Sequence, residues 1–189
     1  FTLMACAIVF VAGDSIDISP TPQIAVTLFG VLWIGFFGSF AALILRLSTT
    51  GSFAGTNIGT DTLFIVVIGV IANDIAAYFV GSAVGRTPLR DWISPNKSTE
   101  GLIGGTLGTL GAVIIVGLQS TTWNGLGEWL ALAIVIALVA PLGDLVESMI
   151  KRNLGVKDFG TILTGHGGVL DRFDSMLFTL PVVYYLALV

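Results

Sequence analysis

The sequence predicts an all-α protein, a polytopic bundle of transmembrane helices with about five full spans and a partial span at the N-terminus. Hydrophobic residues make up 54% of the 189-residue chain and charged residues 11%, whereas soluble domains carry about 25% charged residues. The mean hydropathy is +0.96. The apolar residues form continuous runs, not the alternating pattern of a membrane β-barrel.

Six apolar segments divide the chain, and all but the first approach the ~20 residues that a helix needs to cross a bilayer. They cover about residues 1–12, 23–45, 62–84, 99–118, 128–150 and 169–189. The first is too short to span and is expected to be the end of a truncated helix. We therefore expect residues 1–189 to form a single transmembrane domain that lacks N-terminal helices of the full-length protein.

Glycines at GxxxG spacing mark the helix faces that are expected to pack closely, because the absence of side chains lets two backbones approach in a bilayer. The pairs are Gly81/Gly85, Gly101/Gly105 and Gly104/Gly108. Close helix packing explains this spacing better than a direct role in function.

The distribution of basic residues predicts the orientation, since Lys and Arg concentrate in cytoplasmic loops. If the spans alternate, the loops at about residues 85–98 and 151–168 lie on one side, which we expect to be the cytoplasm. That side holds seven of the eight basic residues: Arg86, Arg90, Lys97, Lys151, Arg152, Lys157 and Arg172. Arg46 is the exception, and either a snorkelling side chain or a re-entrant segment accounts for it.

Composition also excludes some classes of function. The formal net charge of −4 gives no indication of a nucleic-acid partner, which usually requires a basic surface. Cys6 is the sole cysteine, so neither an intrachain disulfide nor a cysteine-based zinc site can form.

Charged residues cluster near the C-terminus, where nine of the chain's 20 Asp, Glu, Lys and Arg residues lie between positions 144 and 174. Asp144, Glu147 and Lys151 share one helical face, and Ser148 lies on it too. Asp171 and Asp174 begin the next helix, so the carboxylates of both helices can converge. Oxygen ligands of this kind suit Mg²⁺. The alternative interpretation is a solvated, salt-bridged loop at a helix boundary.

Several groups near these carboxylates suit phosphate oxygens, because Arg and Lys bind them through charge-assisted hydrogen bonds. They are Lys151, Arg152, Lys157 and Arg172. His166 precedes Gly167 and Gly168, and glycines let backbone N–H groups approach a phosphate. His166 either orients a phosphate or shuttles a proton, or it is a hydrogen-bonded structural residue, and both interpretations stay open.

Two further groups indicate a polar cavity within the bundle. Asp74 lies in the middle of an apolar segment, one turn before Tyr78, and a carboxylate there is costly unless it faces a partner or a polar cavity. Lys97 precedes the fourth apolar segment and is a candidate anion site beside a helix N-terminus. Ser98 is expected to cap that helix.

These residues resemble the integral-membrane phosphatidate cytidylyltransferases, also called CDP-diacylglycerol synthases. The family's C-terminal pattern is S-x-x-K-R, four residues, K-D, seven residues, H-G-G-x-x-D-R-x-D, and this chain matches every fixed position from Ser148 to Asp174. The upstream motifs D-x-x-A-Y-x-x-G, S-P-x-K-x-x-E-G and G-D-x-x-E-S match at Asp74, Ser94 and Gly143. The chain departs from the usual pattern at Ser82, Asn96 and Thr164, and the first two departures remove positive charge.

The resemblance implies transfer of a cytidylyl group from CTP to phosphatidate, giving CDP-diacylglycerol and pyrophosphate with Mg²⁺ as cofactor; a second cation is left open. It implies the catalytic residues Asp144, Lys151, His166 and Asp171, and the metal ligands Asp144, Asp171 and Asp174. The expected phosphate-binding residues are Lys97, Ser148, Arg152, Lys157, Gly167, Gly168 and Arg172. The expected cavity residues are Asp74, Tyr78, Ser94, Glu100 and Glu147.

The protein is accordingly expected in a bacterial-type inner or plasma membrane, with its active site facing the cytoplasm and CTP, phosphatidate and membrane lipid as partners. Whether it forms a homodimer is left open. One alternative is a related CTP-dependent enzyme acting on another lipid phosphate, such as an isoprenoid ether lipid. A transporter is a weaker alternative, based on Asn73, Asp74 and the glycine-rich fourth helix. A non-catalytic relative is a third, against which the intact set of motif residues argues.

Overall fold

Six α-helices and a small β-hairpin make up the described part of the computed structural model, which comprises residues 20–47, 58–90, 93–120, 122–123, 125–156, 168 and 170–188. The first helix, α1 (Pro20–Gly30), continues through a π-helical stretch (Val31–Phe37) into α2 (Gly38–Leu45). The remaining elements, in chain order, are α3 (Ile58–Val84), β1 (Pro88–Arg90), β2 (Ser94–Ser98), α4 (Thr99–Gly117), α5 (Leu126–Asn153) and α6 (Leu170–Leu186).

Four of these helical segments are long and apolar enough to cross a membrane, so the chain is an integral membrane protein. They are Ile24–Leu45, Ile58–Val84, Thr99–Gly117 and Leu126–Asn153. The predicted helical bundle is thus confirmed, whereas the number of spans is not, because α6 has 17 residues and begins with charged side chains. Large apolar side chains stay exposed on the outer faces, as with Leu107 (63%) and Leu138 (62%), which is the surface that lipid covers.

The glycine-rich faces of α3 and α4 pack against each other, as the GxxxG spacing predicts. A Cβ atom on Gly101 would lie 2.9 Å from the carbonyl oxygen of Ala77, and one on Gly105 would lie 3.0 Å from that of Asn73. Asn73 Nδ2 also donates a hydrogen bond of 3.0 Å to Thr109 Oγ1 across this contact. The two helices are therefore held at a close separation that larger side chains would not permit.

A β-hairpin that the hydropathy pattern does not predict joins α3 to α4. Its antiparallel strands pair Pro88 with Ser98 and Arg90 with Ser94. Between the strands, Ile93 is buried, and its carbonyl oxygen accepts a 3.2 Å hydrogen bond from Arg152 Nε on α5. The hairpin that carries Lys97 is thereby attached to the C-terminal end of α5.

The opposite end of the bundle has its own polar contacts. Asp61 Oδ2 accepts hydrogen bonds from Thr122 Oγ1 at 2.7 Å and from Ser120 Oγ at 3.2 Å. Trp123 Nε1 donates to Thr62 Oγ1 at 2.9 Å. Buried apolar side chains of α3 and α5 fill the space between the two ends. The core thus separates these contacts from the charged cluster where α5 ends and α6 begins.

Candidate functional site

The ends of α5 and α6 bring three carboxylates together. Asp144 and Glu147 lie one turn apart on α5, and Asp174 lies in the second turn of α6. One carboxylate oxygen of each lies within 4.8 Å of the others. The side chains of Glu147 and Asp174 are buried, with 1% and 6% exposure. We call these three residues the carboxylate trio.

Lys151 joins the trio to the start of α6. Its Nζ atom lies 2.6 Å from Glu147 Oε2, one helical turn away, and 2.9 Å from Asp171 Oδ1. The other oxygen of Asp171 accepts a 2.6 Å hydrogen bond from the backbone N–H of Gly168. Asp171 therefore anchors Lys151 and the entry to α6, next to the carboxylate trio.

Lys97 reaches the trio from the hairpin. Its Nζ atom lies 2.6 Å from Asp144 Oδ2, and this buried ammonium has no hydrogen-bond partner among the described residues apart from that ion pair. The next residue, Ser98, caps α4 by accepting a 3.1 Å hydrogen bond from the N–H of Gly101. This confirms the predicted cap and places Lys97 immediately before the N-terminus of α4.

The trio fits a hard divalent cation. Carboxylate oxygens are the ligands that such cations prefer, and the Glu147 Oε1 atom is buried without a hydrogen-bond partner in the described part of the chain. A buried acceptor of this kind is costly unless something else satisfies it. Within the cluster, four carboxylates face two ammonium groups: Asp144, Glu147, Asp171 and Asp174 against Lys97 and Lys151. The excess of acidic groups favours a bound cation.

A cavity of about 540 Å³ adjoins the trio. Asp74 and Tyr78 of α3 line it, together with Lys97 of the hairpin and Asp144 and Pro141 of α5. Tyr78 is 71% exposed and lies at the rim. Asp144 thus belongs to both the cavity wall and the trio. Two positions that depart from the family pattern, Ser82 and Asn96, also line this cavity.

Three residues predicted to line the cavity do not do so. Glu100 instead accepts hydrogen bonds from the N–H groups of Arg86 and Thr87, because it lies in the first turn of α4 beside the end of α3. Ser94 is placed in β2, opposite Arg90. Glu147 instead contacts Lys151 and belongs to the trio, so it joins the residues that could hold a metal.

Of the predicted phosphate-binding residues that the structure describes, only some lie beside the carboxylates of the site. Arg152 holds the hairpin through Ile93, and Gly168 donates its N–H to Asp171. Ser148 is half-buried on α5, and Arg172 is exposed in the first turn of α6. Lys157, His166 and Gly167 lie outside the described residues, as does Thr164. Their roles stay predictions.

The fold and the site define an integral membrane protein that carries a carboxylate and lysine cluster at one end of its helices. Residues 1–189 match the cytidylyltransferase family, and the chain belongs to it. The phosphatidate cytidylyltransferase of Mycobacterium leprae is 41% identical over 153 residues, which is 80% of this chain and 45% of that protein. Its counterpart in Synechocystis is 50% identical over 117 residues, 60% of this chain and 39% of that protein.

The phosphatidate cytidylyltransferase of Bacillus subtilis is 41% identical over 128 residues, covering 68% of this chain and 48% of that protein. The chain thus spans about half the length of the curated relatives it matches. The family is established by the match over the whole chain, while the reaction of the complete protein is a matter for proposal.

Proposed function

We propose that the protein transfers a cytidylyl group from CTP to phosphatidate, forming CDP-diacylglycerol and releasing pyrophosphate. The observation that carries this proposal is the carboxylate trio, flanked by two lysines beside a cavity of about 540 Å³, in a chain of the cytidylyltransferase family. Phosphatidate cytidylyltransferases of three bacteria share 41–50% identity with it.

The proposed reaction requires no nucleophile from the protein, because phosphatidate supplies one. An oxygen of the lipid phosphate attacks the α-phosphorus of CTP and forms the new phosphoanhydride bond. The bond between the α- and β-phosphates breaks, and its electron pair leaves with pyrophosphate. The main barrier is the repulsion between two polyanions, so catalysis depends on positioning and on positive charge around the phosphates.

In this proposal, Asp144, Glu147 and Asp174 would hold Mg²⁺, which would supply charge neutralisation at the phosphates. Lys151, kept in place by Asp171, contributes a fixed positive charge beside them. Direct coordination by Asp171 and a second cation stay predictions. Some of the other contacts to the phosphates are proposed to come from His166 and its neighbours.

The cavity is the proposed place for the lipid head group. Asp74, Tyr78 and Lys97 line it, and the acyl chains would remain in the surrounding lipid.

We also propose that α6 is a fifth span, that the site faces the cytoplasm where CTP is found, and that residues 1–189 act as one catalytic domain. Accessibility labelling of single cysteines introduced in the hairpin and at the opposite end would test the orientation.

The activity is tested with purified protein, radiolabelled CTP, phosphatidate micelles and Mg²⁺. We expect a lipid-linked CDP product that EDTA abolishes, and Asp144→Asn to lower the rate by roughly 100-fold or more, a typical cost of losing electrostatic stabilisation at a reacting phosphate. Asp61→Asn is the matched control, because its carboxylate lies at the opposite end of the bundle. The proposal is wrong if no lipid product forms, or if Asp144→Asn and Asp61→Asn are equally active.

A panel of lipid phosphates in the same assay identifies the acceptor. Phosphatidate with ester-linked acyl chains is expected to react fastest. A preference for isoprenoid ether lipids would retain the chemistry and correct the substrate.

A further inference from the structure

The two lysines of the site are held differently. Lys151 Nζ contacts two carboxylates, Glu147 at 2.6 Å and Asp171 at 2.9 Å, so it keeps one partner if the other is lost. Lys97 Nζ contacts a single carboxylate among the described residues, Asp144 at 2.6 Å. Lys97 is thus the lysine whose place depends on one side chain.

That side chain has a second proposed role. Asp144 belongs to the carboxylate trio and would be a ligand of the cation. A divalent cation there would withdraw negative charge from Asp144 and repel the ammonium group beside it, because both carry positive charge at short range. Lys97 also lines the cavity, whose mainly apolar wall carries the polar side chains of Asn73, Asp74 and Asn96, so its released ammonium has a space with polar partners to enter.

We propose that Lys97 is a displaceable counter-ion of the cation site: cation binding at Asp144 releases its ammonium group, which then turns into the cavity and binds the phosphate of the lipid. This inference rests on the proposed function and concerns the order of events at the same site. Without the cation, Lys97 neutralises Asp144 and is not available to phosphate. The cation must therefore bind before the lipid phosphate gains its lysine contact.

Cation affinity in the absence of nucleotide and lipid gives the first test. Mn²⁺ is titrated into detergent-solubilised wild type, Lys97→Met and Arg90→Met, and free Mn²⁺ is followed by EPR. Lys97→Met is expected to bind Mn²⁺ roughly tenfold more tightly, within the usual range of coupling between linked sites. Arg90→Met is the matched control, since Arg90 is an exposed basic residue of the same hairpin, and its affinity is expected to equal that of the wild type.

Loss of a nearby charge would alone strengthen cation binding, so a second readout follows the ammonium group itself. The chain has three lysines, Lys97, Lys151 and Lys157, whose rates of reaction with an amine reagent can be separated by mass spectrometry. Mg²⁺ is expected to raise the rate at Lys97 several-fold and to leave that at Lys151 unchanged, because Asp171 still holds it. In Asp144→Asn, Lys97 should react quickly even without Mg²⁺.

The outcomes separate this inference from the proposed function. A wild type that binds no Mn²⁺ overturns the proposed cation site and the displacement together. Normal Mn²⁺ binding with an unchanged rate at Lys97 overturns the displacement alone. Labelling of the wild type decides the matter even if Lys97→Met fails to fold.

Discussion

Replacing Gly143 by alanine should disturb the carboxylate trio without touching a carboxylate. Gly143 precedes Asp144 on α5 and faces α6. A Cβ atom at this position would lie 3.0 Å from the carbonyl oxygen of Asp174, 3.0 Å from Phe178 Cβ and 3.1 Å from Ser175 Cα. The added methyl group therefore presses on the backbone that carries the third carboxylate.

The structure gives the size of the effect. Ordinary contacts begin near 3.4 Å, so α5 and α6 must separate by about 0.4 Å to accept the methyl group. Magnesium sites tolerate deviations of about 0.2 Å in ligand distance. We expect a roughly 10- to 100-fold loss of cation affinity, comparable with the loss of a group that orients a metal ligand. The packing strain should cost about 1–3 kcal/mol.

Gly111→Ala on α4 provides the control, because a Cβ atom there meets nothing within 4 Å. Both substitutions gain about 1 kcal/mol in helix propensity, so the difference between them isolates the contact with α6. Mn²⁺ titration and thermal unfolding in detergent measure the two effects. Equal affinities and equal unfolding midpoints for Gly143→Ala and Gly111→Ala would refute the close apposition of α5 and α6 at the site.

Two further predictions concern contacts away from the cluster. Asp61→Ala removes the acceptor of Ser120 and Thr122 and should lower the free energy of unfolding by about 1–3 kcal/mol, with Mn²⁺ affinity unchanged; a change in that affinity would contradict the separation of the two ends. A double-mutant cycle of Asn73→Ala and Thr109→Val should give a coupling energy of about 0.6 kcal/mol, the average for hydrogen bonds between membrane helices. A coupling of zero in thermal unfolding would show that this hydrogen bond contributes nothing to α3–α4 packing.

The helices could be predicted from sequence because hydropathy and length alone determine which segments enter a bilayer. The hairpin could not, since its strands have three and five residues and the contact between Arg152 and Ile93 comes from elsewhere in the fold. The π-helical stretch at Val31–Phe37 likewise has no marker in the hydropathy pattern.

The candidate site was predictable to the level of a helix face. Spacing correctly places Asp144, Glu147 and Lys151 on one side of α5. Spacing could not tell which carboxylate of α6 turns toward them, because Asp171 and Asp174 are one turn apart. The two carboxylate oxygens of Asp171 accept hydrogen bonds from the N–H of Gly168 and from the ammonium of Lys151. Only the folded entry to α6 reveals these contacts.

The length of α5 explains why a charged cluster can exist in so apolar a chain. Its 28 residues extend about 42 Å, whereas the hydrocarbon core of a bilayer is about 30 Å thick. Asp144 lies about 27 Å from the start of the helix; with that start placed at one boundary of the hydrocarbon, the trio falls close to the opposite boundary, where the helix meets the head groups. A lipid phosphate lies at this same depth. The carboxylates therefore need no channel into the membrane centre, and their desolvation is limited by the head-group region and by the two lysines that face them.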